Sequence, residues 1–319
     1  MIRINSTPLR KLDEIAQSHF DGLEQTILGR LATLKIRQRD FITTNLKRIL
    51  VSKPVELIKV DQEFVNYCTA PGGIGRMQAH TVYRGIPKVF DYKHFTVTRA
   101  PYYCGYDLAK SLNVPTCPYC NRNYTVTVDH PRRLTRADFD HFLPKKDYKL
   151  FHLSFYNLIP SCLICNRSVK NQNPMAYGDY IHPYEEGFGT AAKFSHLPLD
   201  PESALGLSNK FSISLVTNPL EPLKAGKCVR SFGLFQIKAI YEESHGWEIA
   251  DVLRRHHVSN GKYLSMLHSA FPSLGTVEEL YRLAFGNNHN EDDFVNRPLS
   301  KLTKDIVEQL VFLNPLVRI

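Results

Sequence analysis

Over residues 9–50 the apolar positions Leu12, Ile15, Leu23, Ile27, Leu31, Leu34, Phe41, Ile42, Leu46 and Ile49 recur mostly at three- and four-residue steps among charged residues. That spacing predicts two helices. A turn-rich break follows at Ala70-Pro71-Gly72-Gly73-Ile74-Gly75. It lacks the Lys-Ser/Thr pair of a phosphate loop and any strand before it, so it reads as a linker. Residues 82–98 mix aromatic and β-branched side chains in short alternating runs, which predicts one or two strands. A passage containing Gly, Pro and Asp reaches residue 207, and then the alternation in Phe211-Ser212-Ile213-Ser214-Leu215-Val216 predicts a strand. The stripe Leu234, Ile237, Ile240, Tyr241, Ile249, Val252, Leu253 predicts a helix over 234–255, and further helices are predicted at 262–267, 277–285 and 299–311. There is no internal repeat and no low-complexity tract. The expected class is α+β: a helical region over 1–70, a linker with strands over 71–110, a mixed module over 111–185, and a mainly helical region over 186–319.

Composition sharpens the picture in one place. A chain of 319 residues, 43% of them hydrophobic, has enough apolar surface for one large core or two modest ones. Its start carries charge from Arg3 onward without an apolar signal region, and no run approaches the roughly 18–20 apolar residues that span a bilayer. A cytoplasmic protein with no membrane partner is expected. The net charge of +9 is weak evidence by itself. Its distribution says more: between Cys117 and Lys170 stand nine Lys or Arg (Arg122, Arg132, Arg133, Arg136, Lys145, Lys146, Lys149, Arg167, Lys170) against four Asp (Asp129, Asp138, Asp140, Asp147). More than half of the positive excess lies in this segment, which points to a polyanionic partner.

Cysteine spacing adds a metal. Cys117-Pro118-Tyr119-Cys120 and Cys162-Leu163-Ile164-Cys165 are two CxxC pairs, a pattern that signals zinc rather than disulfides in a reducing compartment. The 41 residues between the pairs are more than a finger needs, so a folded piece is expected between the two halves of the site. Cys68, Cys104 and Cys228 stand alone and read as small buried apolar residues.

Between the pairs lie Asp138-Phe139-Asp140-His141-Phe142-Leu143-Pro144-Lys145 and Asn157-Leu158-Ile159-Pro160, and the second pair continues into Asn166-Arg167 and Lys170. In this order the segment resembles the HNH (ββα-metal) endonucleases, in their zinc-stapled form with a DH strand, an NL pair and CxxCN leading into a helix. The resemblance covers about one sixth of the chain. It implies that His141 is a general base, and that Asp140 and Asn166 offer oxygens to one Mg2+ or Mn2+. It implies further that Asn157 holds the loop that aims His141, and that Lys170 with Arg167 contacts phosphate. Cys117, Cys120, Cys162 and Cys165 would then hold a structural zinc. The chemistry suits these residue types: a neutral imidazole can deprotonate water near pH 7, and a hard cation on oxygen ligands neutralises charge on phosphate. His182 lies soon after the module and is a candidate to approach the metal. His152, the pair His256-His257 and Trp247 read as packing or helix-end residues.

The passage Glu291-Asp292-Asp293 with Arg297-Pro298-Leu299-Ser300-Lys301-Leu302-Thr303-Lys304-Asp305-Ile306, together with the helix expected from Leu234, bears a weaker likeness to HNH subunits encoded beside an ABC or SMC-like ATPase in bacterial anti-phage systems of the Septu type. That likeness implies that the helical flanks dock an ATPase partner, and that the substrate is invading DNA or a host nucleic acid. The rival expectation is a zinc-stapled subunit that binds nucleic acid or protein without cutting. It differs at Asp140 and His141, because a binder needs no imidazole beside a carboxylate and its affinity would follow salt.

Overall fold

Three helices open the chain: α1 (Leu12–Arg30), α2 (Ile36–Val51) and α3 (Pro54–Thr69), each packed on its predecessor. In this computed structural model the residues described are 1–5, 11–72, 74–97, 102–128, 134–171, 173–274 and 276–313. Asp129, Arg132 and Arg133 of the basic segment, Gly73 of the linker and Thr98 of the predicted strands lie outside them. The apolar stripe does what its spacing predicts: Leu23, Ile27, Phe41, Ile42, Leu46 and Ile49 are all buried. Pro54 occupies the first turn of α3, where its missing N–H costs nothing.

The strands expected over residues 82–98 are instead short helices, α4 (Ile86–Val89) and α5 (Tyr92–Val97), followed by α6 (Gly105–Leu112). The buried positions Val82, Ile86, Val89 and Phe90 fall at three- and four-residue steps, so one helical side faces the core. Segments this short carry too few positions for alternation to be told from helical spacing.

The middle of the chain makes a small antiparallel sheet from β1 (Asp138–His141) and β2 (Leu158–Ser161), with Asp140 opposite Ile159 and His141 opposite Leu158. A π-helix (Ile164–Lys170) follows β2 after two residues. A second antiparallel sheet pairs β3 (Ala192–Pro198) with β4 (Phe211–Thr217), with the single turn α7 (Pro201–Ala204) between them. The strand predicted at 211–216 is present; its partner falls within the passage read as turns.

The single helix expected over 234–255 is two, α9 (Ile237–Ser244) and α10 (Gly246–Val258), preceded by α8 (Pro222–Leu234), which ends where the expected range begins. Gln236 stands at φ +48, a left-handed conformation that no helix interior tolerates. Gly246 lies against the Asn209 carbonyl, where a Cβ would sit 2.0 Å from the oxygen. The remaining helices are α11 (Tyr263–Ala270), α12 (Val277–Phe285) and α13 (Ser300–Leu313). Around α12 the start and stop are sequence-coded: Thr276 and Glu279 form a capping box, and Gly286 closes the helix at φ +67.

Two sets of contacts bear on the middle segment. From the front, His19 of α1 reaches the Leu153 carbonyl at 2.7 Å, Ser154 donates to the Ile49 carbonyl at 2.5 Å, and Tyr156 donates to Asp13 at 3.1 Å. The connection between β1 and β2 is thereby pinned to α1 and α2. From the back, α13 packs on β3, where the Asp305 carboxylate accepts the Phe194 N–H and forms a buried ion pair at 2.8 Å with Lys301, and the Lys301 N–H reaches the Asn121 side chain. Two conspicuous residues of the C-terminal passage therefore have a packing role. Among the described residues no helix is long and apolar enough to cross a membrane.

Candidate functional site

The sequence Cys117-Pro118-Tyr119-Cys120 folds as a tight turn, with the Asn121 N–H on the Cys117 carbonyl at 2.7 Å and the Cys117 N–H on the Asn123 carbonyl at 2.9 Å. Cys162 directly follows β2, and Cys165 lies in the first turn of the π-helix. Together the four buried sulfurs fall within 4.8 Å of one another, with Cys120 and Cys162 at 4.0 Å. A tetrahedral ZnS4 centre with bonds of about 2.3 Å has sulfur separations of about 3.8 Å, so the cluster fits zinc. The surroundings fit thiolates too: Asn123 donates to Cys162 Sγ at 3.3 Å and the Cys165 N–H does so at 3.4 Å. Donation from Cys117, Cys120 and Cys165 pulls the Cys162 thiol down, whereas burial pushes the Cys117 thiol up. Four buried cysteines close together can hold a zinc ion, and four thiolates would leave it no position for water.

The C-terminal elements grip this turn. Asn121 sits at φ +47, which asparagine tolerates, and its Nδ2 donates to the Phe294 and Arg297 carbonyls at 3.0 and 3.1 Å. Its own carbonyl accepts the Leu299 N–H at 2.5 Å, and Tyr241 of α9 donates to the Cys120 carbonyl at 2.5 Å.

Beside the cysteines, β1 and the π-helix border a cleft of about 830 Å³ whose lining includes Asp138, Asp140, His141, Asn166, Arg167 and Lys170. Five of its cations (Arg136, Lys145, Lys146, Arg167, Lys170) face three carboxylates (Asp138, Asp140, Asp147), so the cleft keeps a positive balance. Asn157 lies outside the lining but shapes it: its side chain accepts the Leu143 N–H at 2.6 Å and donates to the Leu143 and Phe151 carbonyls at 3.2 and 3.0 Å. One amide thus holds both ends of the loop that follows His141.

His141 is buried, with Nε2 at 2.9 Å from the His152 carbonyl. A carbonyl only accepts, so Nε2 carries the proton and Nδ1 keeps the lone pair. Burial, with Lys145 and Lys170 adding to it, holds the imidazole well below its ordinary pKa and therefore neutral near pH 7. The Tyr92 ring stands edge-on at 4.5 Å and fixes the plane of the imidazole.

Asp140 accepts the Tyr119 hydroxyl on Oδ2 at 2.7 Å, and Lys170 Nζ approaches its two oxygens at 2.7 and 2.8 Å. Within the cleft Arg167 forks onto Asp138 at 2.8 and 3.0 Å, and Asn166 Nδ2 donates to the same carboxylate at 3.3 Å. Asn166 is inside the π-helix rather than at its cap.

His182 does not join this group. It is buried against the Phe142 ring at 4.3 Å, and neither nitrogen has a hydrogen-bond partner. Burial pushes its pKa down to about 3. The folded chain must keep this ring neutral while the unfolded chain can protonate it, so the neutral ring's contribution is complete above pH 6.5 and declines as the pH falls toward 3. His182→Phe is expected to remove that sensitivity: between pH 7 and pH 5 the wild type should lose about 2 kcal/mol relative to the variant, at about 1.4 kcal/mol per pH unit below 6.5. Urea unfolding at both pH values measures this, and parallel losses in the two proteins would contradict it. His152 spends its Nε2 on the Lys145 carbonyl at 3.1 Å, His256 and His257 end α10, and Trp247 is exposed away from the cleft.

Sequence reasoning missed Tyr119, Asp138 and Asn121. Tyr119 was visible as the polar aromatic inside the first CxxC, but what it touches is 21 residues away. It is buried with its ring stacked on Phe235 at 4.2 Å, so it joins the cysteine turn, the cleft and the C-terminal half. Tyr119→Phe keeps the stacking and deletes one donor to a buried carboxylate. A loss of about 1.5–3 kcal/mol with full zinc content is expected, the usual range for a hydrogen bond to a charged group. Calorimetry with metal analysis tests it; an unchanged unfolding midpoint would mean the hydroxyl carries no such role.

No family model, curated protein or solved structure matches this chain.

Proposed function

We propose that this protein is a metal-dependent HNH endonuclease that hydrolyses phosphodiester bonds in DNA. The observation that carries the reading is the convergence of Asp140 and His141 from β1 with Asn166 and Lys170 from the π-helix on one positively charged cleft beside four clustered thiols. A zinc-stapled binder has no use for a neutral, tautomer-fixed imidazole next to a carboxylate in the lining of such a cleft.

In this reading Asp140 and Asn166 would hold one Mg2+ or Mn2+. The ligand count permits it. A carboxylate offers about four lone-pair positions, and Lys170 and Tyr119 use three, leaving one on Oδ1. When bound, the divalent ion would supply charge neutralisation at the phosphate and the leaving oxygen. The chain's own residues do the rest. His141 Nδ1 accepts the proton of the attacking water, while its Nε2–H stays on the His152 carbonyl and keeps the ring from turning. Asn157 fixes the loop behind it. Lys145, Lys146 and Arg136 draw the nucleic-acid backbone into the cleft. The zinc held by Cys117, Cys120, Cys162 and Cys165 would fix β2 and the π-helix against the first turn.

By the likeness of residues 291–306 we further propose that the nuclease serves bacterial anti-phage defence with an ABC or SMC-like ATPase partner, which would restrain an otherwise hazardous activity. Incubating end-labelled duplex DNA, single-stranded DNA and RNA with the zinc-loaded protein and Mg2+ or Mn2+ tests the activity. Chelator-sensitive cleavage of DNA is expected. Salt-dependent binding without cleavage of any of them, with and without the partner ATPase, would favour the non-catalytic zinc-stapled subunit.

A further inference from the structure

Lys170 is 3% exposed, and its ammonium has found an oxygen for each of its three N–H bonds: Asp140 Oδ1 at 2.7 Å, Asp140 Oδ2 at 2.8 Å and the His141 carbonyl at 2.7 Å. The π-helix produces this seat. With the Asn171 N–H on the Asn166 carbonyl at 3.1 Å, an i→i+5 bond, an extra residue widens the turn and brings Lys170 round onto β1. Two full charges so deeply buried persist only as partners, because either one left alone would be an uncompensated ion away from water.

We infer that Lys170 is a built-in competitor for the catalytic cation and that nucleic acid relieves the competition, so that divalent metal and substrate load together. The inference rests on the nuclease reading and adds its regulation. A divalent ion on the free position of Asp140 would share a carboxylate with an ammonium already in contact with both oxygens, and the two cations repel. Lys170 can yield only if another anion receives it, since a displaced ammonium cannot stay buried and unpaired. A phosphate of the nucleic-acid backbone, drawn into the same cleft by Lys145, Lys146 and Arg136, is that anion. Metal affinity is then low without nucleic acid and high with it, and by reciprocity nucleic acid binds better with metal. A cleft loaded only on its substrate cannot hydrolyse other phosphates in passing.

The test measures Mn2+ binding to the zinc-loaded full chain by the loss of the free-ion electron paramagnetic resonance signal, in a His141→Ala background so that DNA stays intact. Only sites abolished by Asp140→Ala are counted. Adding a short DNA duplex or its single strand should tighten Mn2+ binding by about tenfold or more, within the usual range of coupling between sites. Lys170→Met should bind Mn2+ about tenfold more tightly with no nucleic acid and should lose most of the response to it. Lys170→Gln, which keeps a donor near Asp140 without charge, should behave like Lys170→Met if the latter folds poorly. Equal Mn2+ affinity with and without either nucleic acid in the parent, or equal affinity in parent and Lys170 variants, overturns the inference and leaves the nuclease reading standing. No Asp140-dependent Mn2+ binding in any combination overturns the nuclease reading itself.

Discussion

Replacing Cys162 with alanine is expected to abolish zinc binding and to lower the thermal midpoint by about 10 °C. This sulfur is the one on which donors converge, from the Asn123 side chain and the Cys165 N–H, and it follows β2 without an intervening residue. Without it, nothing covalent or coordinate joins the Cys117-Cys120 turn to the start of the π-helix. The turn itself stays tied to the C-terminal half through Asn121 and Tyr241, so the chain keeps its outer helices while β1, β2 and the π-helix lose their common anchor. Losing a bound metal belongs to the few mutational effects above about 4 kcal/mol, and at about 2–4 °C per kcal/mol for larger domains that gives the expected shift. Metal analysis and calorimetry on the purified variant measure both quantities. A variant with full zinc, or an unchanged midpoint, would mean that the four cysteines do not form one centre.

Under the proposed nuclease function, His141→Ala is expected to reduce cleavage by about 10²–10⁴-fold, the usual contribution of a positioned acid–base group, with zinc content unchanged. The ring is held by the His152 carbonyl and the Tyr92 edge, and neither contact reaches the cysteines. Because burial keeps the imidazole neutral, the substitution removes no charge from the cleft and leaves the Lys170–Asp140 pair balanced. A fall in activity therefore reports the missing base rather than a rearranged electrostatic field.

Much of this was readable from residue pattern, and the failures share a cause. The four cysteines announce themselves because two thiols at CxxC spacing are a local ligand pattern for zinc. The capping box at Thr276 and the closing Gly286 are likewise local signals. The helix stripe in α1 and α2 is long enough for its period to be unambiguous. In α4 and α5, by contrast, elements of a turn or so leave period two and period 3.6 indistinguishable, and the sequence reading chose strands. Of the breaks flanking α9, the first is a left-handed Gln236 that bonds the Gly233 carbonyl three residues back, in a residue type that does not announce such a turn, and the second depends on the Asn209 carbonyl, distant in sequence, which leaves no room for a Cβ at Gly246. His141, Asp140, Asn166 and Lys170 of the cleft, with Asn157 behind it, stood in a recognisable order, but the partners that fix them did not. Tyr119 meets Asp140, Arg167 meets Asp138, and Asn121 meets Phe294 across 173 residues. Those pairings depend on the fold as a whole, which no short pattern encodes.

The most direct test of the central claim is conversion of supercoiled plasmid by the wild type and by His141→Ala in Mg2+ or Mn2+, on preparations whose zinc has been quantified. The nuclease reading predicts nicked or linear products from the wild type, their near-complete loss in the variant, and about one zinc per chain in both. Equal product from the two proteins, or none from a zinc-loaded wild type with and without the proposed ATPase, would contradict it.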